Sequence, residues 1–360
     1  MIFSRFTHTY SRDGVIAVFN SLRLRPVFLP KDLYEMVQAS IKEGKTPSAP
    51  DSVNKLSHAI EELKKQKILI DSPSYDDVIL QRFRNLTGKP QTRIAYFIMT
   101  DQCNFNCSYC FVRKEQRKGK LAILGKMSSK IGKKALETYA RLSFSDDKDS
   151  DRMIIFYGGE PLLNFPVIKE IVLYAKELKA QNKLASDTKF AIVTNGSLLT
   201  DEIAAFFHEQ GVGIGISVDG DSFVTNSSRV FTNGEPTFDS IAKGIETCRR
   251  NHCDDFSLSV TISEKCLENF DSTIDFIVNK VGCKNLGYNI LMNMDCNTED
   301  DPYSVDASKF LLKSFEIFRK KGIYEDRMMR KTKAFVDGKV HLFDCAACGA
   351  NQVVFAPDGT

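Results

Sequence analysis

Asp101-Gln-Cys-Asn-Phe-Asn-Cys-Ser-Tyr-Cys-Phe111, directly after the apolar run Ile94 to Met99, sets Cys103, Cys107 and Cys110 in a C-x3-C-x2-C array. Cysteine is rarely packed so densely in one loop for its apolar character alone. A structural zinc site closes its tetrahedron with four protein ligands. An iron-sulfur cubane held by three cysteines instead leaves one iron open for a substrate or cofactor. The plainer readings are three buried thiols, or a zinc knuckle lacking its fourth ligand.

The cysteine loop sits at the start of a repeating pattern. From Arg93 onward, apolar runs alternate with helical stretches, the mark of parallel βα units. Six strands are expected: Ile94 to Thr100, Met153 to Tyr157, Lys189 to Thr194, Val212 to Ser217, Phe256 to Thr261 and Asn285 to Leu291. Helices are expected near Ser129 to Leu142, Pro166 to Lys179, Asp201 to Glu209, Phe238 to Arg250 and Leu267 to Val281. The fold class is therefore α/β, a partial (βα)6 TIM-like barrel with its active centre at the carboxyl ends of the strands. Short motifs fall at those ends. They are Gly158-Gly159-Glu160-Pro161 after the second strand, Thr194-Asn195-Gly196 after the third, and Ser217-Val-Asp219-Gly220 after the fourth. Two glycines allow close backbone approach to a ligand, and a carboxylate accepts hydrogen bonds from an ammonium group. Taken locally, each motif is also an ordinary turn.

With Tyr109 just before the last cysteine, the array resembles the signature of the radical S-adenosylmethionine enzymes, and Gly158 to Pro161 resembles their GGEP motif. The resemblance implies a 4Fe-4S cluster on Cys103, Cys107 and Cys110, and reductive cleavage of S-adenosylmethionine to a 5′-deoxyadenosyl radical. It implies that Tyr109 contributes to cofactor binding and that Gly158, Gly159, Glu160 and Pro161 hold the methionine amino end. It also implies that Asn195, Ser217 and Asp219 contact the ribose hydroxyls and the methionine carboxylate. Arg229, ten residues past Asp219, is a candidate for a charge-assisted pair with that carboxylate, and Val260 to Ile262 and Leu291 are expected to flank the adenine.

Residues 1–90 read as a separate winged-helix-like module. It has β-rich runs at Val15 to Phe19 and Arg25 to Leu29, helices at Lys31 to Lys42 and Ser52 to Lys65, and a strand-like Lys67 to Asp71. The module weakly resembles recognition elements fused to maturases of ribosomally made peptides, which implies a peptide clamp. A stabilising cap or a DNA-binding element are the alternatives. The catalytic core spans 91–322. In the remainder, 323–360, Tyr324 to Thr332 is expected to be a basic connector. The run from Cys348 to Gly359 resembles the opening of a SPASM domain, which carries auxiliary iron-sulfur clusters in relatives and so makes Cys345 and Cys348 candidate ligands; half a zinc site or two reduced thiols are the plainer readings of this C-x2-C pair. The tail ends at Thr360 before a further cysteine, so no complete four-cysteine auxiliary site is expected from it.

Composition narrows the partners. A net charge of +3 over 360 residues supplies no large basic field, so nucleic acid is not expected as a partner. No secretory signal and no run near eighteen apolar residues is found, so the expectation is a cytoplasmic protein without a membrane partner. Five dispersed histidines form no H-E-x2-H pair, and neither a G-x-S-x-G elbow nor a phosphate-binding loop is present. Cys248, Cys253, Cys266, Cys283 and Cys296 show no ligand spacing. The resemblance implies an oxidoreductase of the peptide-maturase type. Its partners would be a precursor peptide or protein substrate and a reductant such as flavodoxin or ferredoxin. The alternatives are an anaerobic sulfatase-maturating enzyme, which makes formylglycine, and a catalytically inactive peptide-binding scaffold.

Overall fold

The structure is a computed structural model that describes residues 1–44, 48–86, 92–143, 152–291, 301–338 and 349–360. The chain opens with β1 (Ile2–Phe3), β2 (Thr7–Arg12), β3 (Val15–Asn20) and β4 (Val27–Pro30). Alternate burial of Ile16 and Val18 in β3, and of Val27 and Leu29 in β4, gives one apolar face. β2, β3 and β4 form an antiparallel sheet in that order, and β1 pairs with β5 (Leu69–Ile70). The Asp13-Gly14 turn that joins β2 to β3 has φ of 50° and 77°, as a tight hairpin requires. β2 lies outside the expected elements even though this Asp-Gly pair marks its end. The expected helices form at Lys31–Glu43 and Pro50–Lys65 and cover the sheet with Val37, Leu56, Ala59 and Leu63. A further helix, Ser74–Leu86, is anchored through its first turn. Its Asp76 accepts hydrogen bonds from Ser4 Oγ at 2.8 Å and the Arg5 N–H at 2.9 Å.

Two compact units make up the chain, Met1–Pro90 with Arg330–Asp344, and Gln91–Met329 with Cys345–Thr360. The second is built on one parallel sheet. Its strands are β6 (Ile94–Thr100), β7 (Met153–Gly158), β8 (Lys189–Thr194), β9 (Val212–Ser217), β10 (Ser257–Ile262), β11 (Asn285–Ile290), β12 (Tyr324–Glu325) and β13 (Gln352–Phe355). The spatial order is β12-β11-β10-β9-β8-β7-β6-β13, an open, partial barrel. The six expected strands sit side by side within one or two residues of their expected ends. The two additions lie at the edges, where a short strand has little periodicity of its own and is defined by its neighbour. Tyr324 to Thr332 is therefore not a connector: Tyr324–Glu325 pairs with β11, and a helix, Asp326–Asp337, follows. Part of the tail expected to open a SPASM-like segment likewise pairs with β6.

Helices Ser129–Leu142, Phe165–Ala180, Asp201–Gln210 and Phe238–Arg250 match expectation closely. The stretch expected as one helix to Val281 is instead broken into Glu264–Glu268, Phe270–Asp275 and a π-turn, Phe276–Val281. Phe355, Phe97, Phe156 and Phe190 run across β13, β6, β7 and β8 with successive ring centroids 5.2, 6.2 and 6.2 Å apart. This aromatic row ties the added edge strand to the core. Among the described residues no helix is long and apolar enough to cross a membrane.

Candidate active site

Because β6 to β11 are parallel, their carboxyl ends face the same way, and the polar residues after them form a connected set. The cysteine loop leaves β6 and is held in place by its backbone. The Asn106 N–H donates to the Val230 carbonyl at 2.7 Å, the Ser108 N–H to Ser228 at 2.8 Å, and the Thr232 N–H to Asn104 at 3.0 Å. Phe105 is buried edge-on against Phe231, with centroids 5.0 Å apart. From the short helix after the loop, Phe111–Arg117, the Arg113 guanidinium returns to the Cys103 carbonyl at 2.6 Å.

Cys103, Cys107 and Cys110 are free and half-buried. Burial pushes the Cys103 thiol up to about 11. It raises Cys107 too, against the opposing pull of the Arg229 charge. Such thiols ionise only with a strong compensating charge, and a bound metal supplies one. Cys103 Sγ accepts from the Phe105 N–H at 3.3 Å and faces the Asn195 amide at 3.9 Å. Among the described residues no group of three or more His, Cys, Asp and Glu is placed to hold a metal ion. Soft thiolate donors with N–H groups aimed at sulfur fit an iron-sulfur centre, and Cys103, Cys107 and Cys110 are the residues that would hold it.

The glycines of Gly158-Gly159-Glu160-Pro161 have a use that motif reading does not reveal. A Cβ on Gly159 would lie 2.1 Å from the Gln102 carbonyl oxygen, and one on Gly158, whose φ is +135°, would lie 2.2 Å from that of Thr100. The close approach is to the backbone that enters the cysteine loop. It is fixed by hydrogen bonds from the Gly159 N–H to Thr100 at 2.7 Å and the Glu160 N–H to Gln102 at 2.8 Å. Glu160 is fully buried. Its carboxylate accepts from Thr194 Oγ1 at 2.7 Å, the Asn195 N–H at 2.7 Å and the Leu162 N–H at 3.0 Å. Burial nonetheless pushes its pKa up to about 7. Pro161 starts the 3-10 turn Pro161–Asn164 that Glu160 caps.

Asn195 is a hub: its amide donates to Asn104 Oδ1 at 2.8 Å, and its carbonyl oxygen accepts from Ser197 Oγ at 2.7 Å. The sequence assigns no role to Asn104 or Ser197, and marks Thr194 only as the start of the Thr194-Asn195-Gly196 turn. Thr194 and Ser197 flank the Asn195-Gly196 turn, while nothing in the local sequence distinguishes Asn104.

Asp219 and Arg229, both expected at the cofactor, pair with each other. Arg229 Nε and Nη2 donate to the Asp219 carboxylate at 3.0 and 2.9 Å, with Asp219 fully buried and Arg229 7% exposed. Tyr109 Oη donates to the same carboxylate at 2.5 Å. Ser217 is half-buried at the end of β9, opposite Ser259. Leu291, just past β11, is half-buried and its N–H donates to Tyr303 Oη at 2.8 Å. Cys345, Cys348 and Cys296 lie outside the described residues.

Residues 97–277 match the Radical SAM superfamily. The cysteine-type anaerobic sulfatase-maturating enzyme of Clostridium novyi (strain NT) is 24% identical over 231 residues, 61% of this chain and 58% of that protein. The solved structure of native anSMEcpe with bound AdoMet has a TM-score of 0.58 at 17% identity, covering 68% of this chain and 67% of that one. Streptococcus suis SuiB bound to precursor peptide SuiA has a TM-score of 0.51 at 12% identity, covering 99% of this chain and 81% of that one. At these identities the two solved structures share the fold. The chain spans about half the length of the curated relatives it matches, between 43% and 60% of each of the first three. With half of its length matched to that family, on a partial barrel whose strand ends gather the three-cysteine loop, the chain belongs to the radical S-adenosylmethionine superfamily, whose enzymes use a 4Fe-4S cluster and S-adenosylmethionine.

Proposed function

We propose that this chain is a peptide maturase that forms a thioether or other cross-link in a ribosomally synthesised peptide. In this reading 1–90 recognise the substrate, 91–322 carry the chemistry, and 323–360 belong to a SPASM-like segment in which Cys345 and Cys348 serve an auxiliary cluster. The observation that carries it is a sheet edge in the first unit on which no further strand pairs among the described residues. β2 ends its sheet with five of six residues exposed. An extended peptide can add to such an edge through main-chain hydrogen bonds, with alternate side chains read on each face. The peptide seen on SuiB, matched along nearly the whole of this chain, supports the same class of partner.

When bound, the cluster and S-adenosylmethionine supply a 5′-deoxyadenosyl radical, with the electron brought by a reductant such as flavodoxin or ferredoxin. The chain's own residues do the placing. Cys103, Cys107 and Cys110 hold the centre, the β6–β7 contact at Gly158 and Gly159 fixes the entry to their loop, and Glu160 and Asn195 tie that entry to β8. Ser217 and Leu291 sit at strand ends, where the cofactor's ribose, carboxylate and adenine are held in this reading.

Anaerobic reconstitution and reduction should yield 5′-deoxyadenosine, and Cys103→Ala, Cys107→Ala and Cys110→Ala should each abolish it. A wild-type chain that takes up zinc and no iron overturns the assignment. With a co-expressed precursor peptide, mass spectrometry should show loss of two hydrogens per cross-link. Deleting residues 1–90 should abolish turnover of the full precursor while S-adenosylmethionine cleavage continues. Formylglycine formation is the second reading, supported by the likeness to sulfatase-maturating enzymes. An aldehyde captured by a hydrazide probe would favour it over cross-linking.

A further inference from the structure

We propose that Asp219 and Arg229 are positioning residues that brace the cluster loop through Tyr109, rather than direct ligands of the cofactor's ribose or methionine. The inference rests on the cluster being held by Cys103, Cys107 and Cys110.

An ionised carboxylate has about four lone-pair sites. Those of Asp219 accept Arg229 Nε at 3.0 Å, Arg229 Nη2 at 2.9 Å, Tyr109 Oη at 2.5 Å and the Thr261 N–H at 2.9 Å. With four donors in place and no exposed surface, Asp219 has nothing left to offer a hydroxyl or an ammonium group. What it does have is reach: Tyr109 stands between two cluster cysteines, Arg229 follows the Ser222–Ser228 helix, and Thr261 is on β10. One carboxylate thus joins the loop to two strand ends.

Arg229 adds a second tie. It lies within the strip Ser228 to Thr232 whose backbone pairs with Asn104 to Ser108, and its own carbonyl accepts from Thr237 Oγ1 at 2.8 Å. Its guanidinium also lies over the Tyr109 ring, 5.5 Å from the centroid. The loop is therefore fixed through its main chain and through the Tyr109 side chain, and both fixings meet at Arg229. A cation held there also sets the field at Cys107, and charges and hydrogen bonds near the sulfurs tune a cluster's potential.

The test compares reconstituted wild type with Tyr109→Phe, Asp219→Asn and Arg229→Lys. Tyr109→Phe removes one hydroxyl and keeps the ring, so it remains informative should a buried-charge variant fail to fold. Readouts are iron content, the electron paramagnetic resonance spectrum of the reduced cluster without S-adenosylmethionine, and the dissociation constant for S-adenosylmethionine. The brace predicts an altered cofactor-free spectrum in all folded variants. It also predicts a roughly tenfold loss of cluster retention or 5′-deoxyadenosine formation, the scale seen when an outer-shell partner of a metal ligand is removed. S-adenosylmethionine affinity in the cluster-loaded fraction should stay within about threefold, less than half a decade. General destabilisation would lower thermal stability without moving the spectrum. Unchanged cofactor-free spectra and iron content, with affinity weakened tenfold or more, overturn the brace and make these residues direct ligands. Wild type without iron overturns the cluster assignment instead, and so separates the two failures.

Discussion

Gly159→Ala isolates one physical cause. Gly159 has no positive φ that would strain an alanine, so the substitution changes only space. Its new Cβ would lie 2.1 Å from the Gln102 oxygen, 2.6 Å from the Gln102 carbonyl carbon and 2.9 Å from that of Asp101. All three atoms are backbone, so no side chain can swing away. Restoring ordinary contact needs a shift of roughly 1 Å between β7 and the loop entry. That movement breaks the bonds from Gly159 to Thr100 and from Glu160 to Gln102, at about 1 kcal/mol each. Residual overpacking adds about 1–3 kcal/mol. The metal-free chain should thus lose about 3–5 kcal/mol by urea unfolding. Because the displaced residue precedes Cys103, 5′-deoxyadenosine formation should fall by about 100-fold, the scale of a 1 Å misplacement. Gly213→Ala is the control: its Cβ would meet the Phe190 oxygen at 3.7 Å, an ordinary contact, so stability should hold within about 0.5 kcal/mol or rise slightly. If Gly159→Ala leaves the metal-free chain as stable as wild type and only weakens S-adenosylmethionine binding, the glycine makes room for the cofactor and the steric argument is wrong.

Glu160 should give the metal-free chain a pH signature. Its pKa rises from 4.5 to about 7 on folding, so between those values the folded chain binds more protons than the unfolded one. Stability should therefore fall as pH rises through that window, by about 3 kcal/mol in total. Glu160→Gln should flatten the slope, and an unchanged slope in unfolding curves from pH 4.5 to 7 would count against burial as its cause. Asn164 donates both amide hydrogens, to the Met99 and Met127 carbonyls at 2.9 Å each. Asn164→Ala should cost about 2–3 kcal/mol by stranding two buried acceptors, and a loss under about 0.5 kcal/mol would mean water replaces the amide. Raised salt should leave peptide binding to the first unit largely intact if edge pairing rather than surface charge carries it, and isothermal titration at two ionic strengths decides this.

Sequence periodicity determined much of this protein. The six strands from Ile94 to Ile290 and most of their helices are legible because burial repeats every two or about four residues within a single run, a local property. The cysteine array is legible for a similar reason, since three ligands drawn from one loop leave their spacing in the chain. The edges were not: Tyr324–Glu325 and Gln352–Phe355 become strands because β11 and β6 present unpaired groups to them. Nor were the partners of the polar residues. Asp219 meets Tyr109 across 110 positions, Asn195 meets Asn104 across 91, and Gly159 meets the backbone of Gln102 from the adjoining strand. A motif names a residue able to accept a hydrogen bond. Which donor reaches it first, a ligand or another strand end, depends on distances that exist only once β6 to β10 lie side by side.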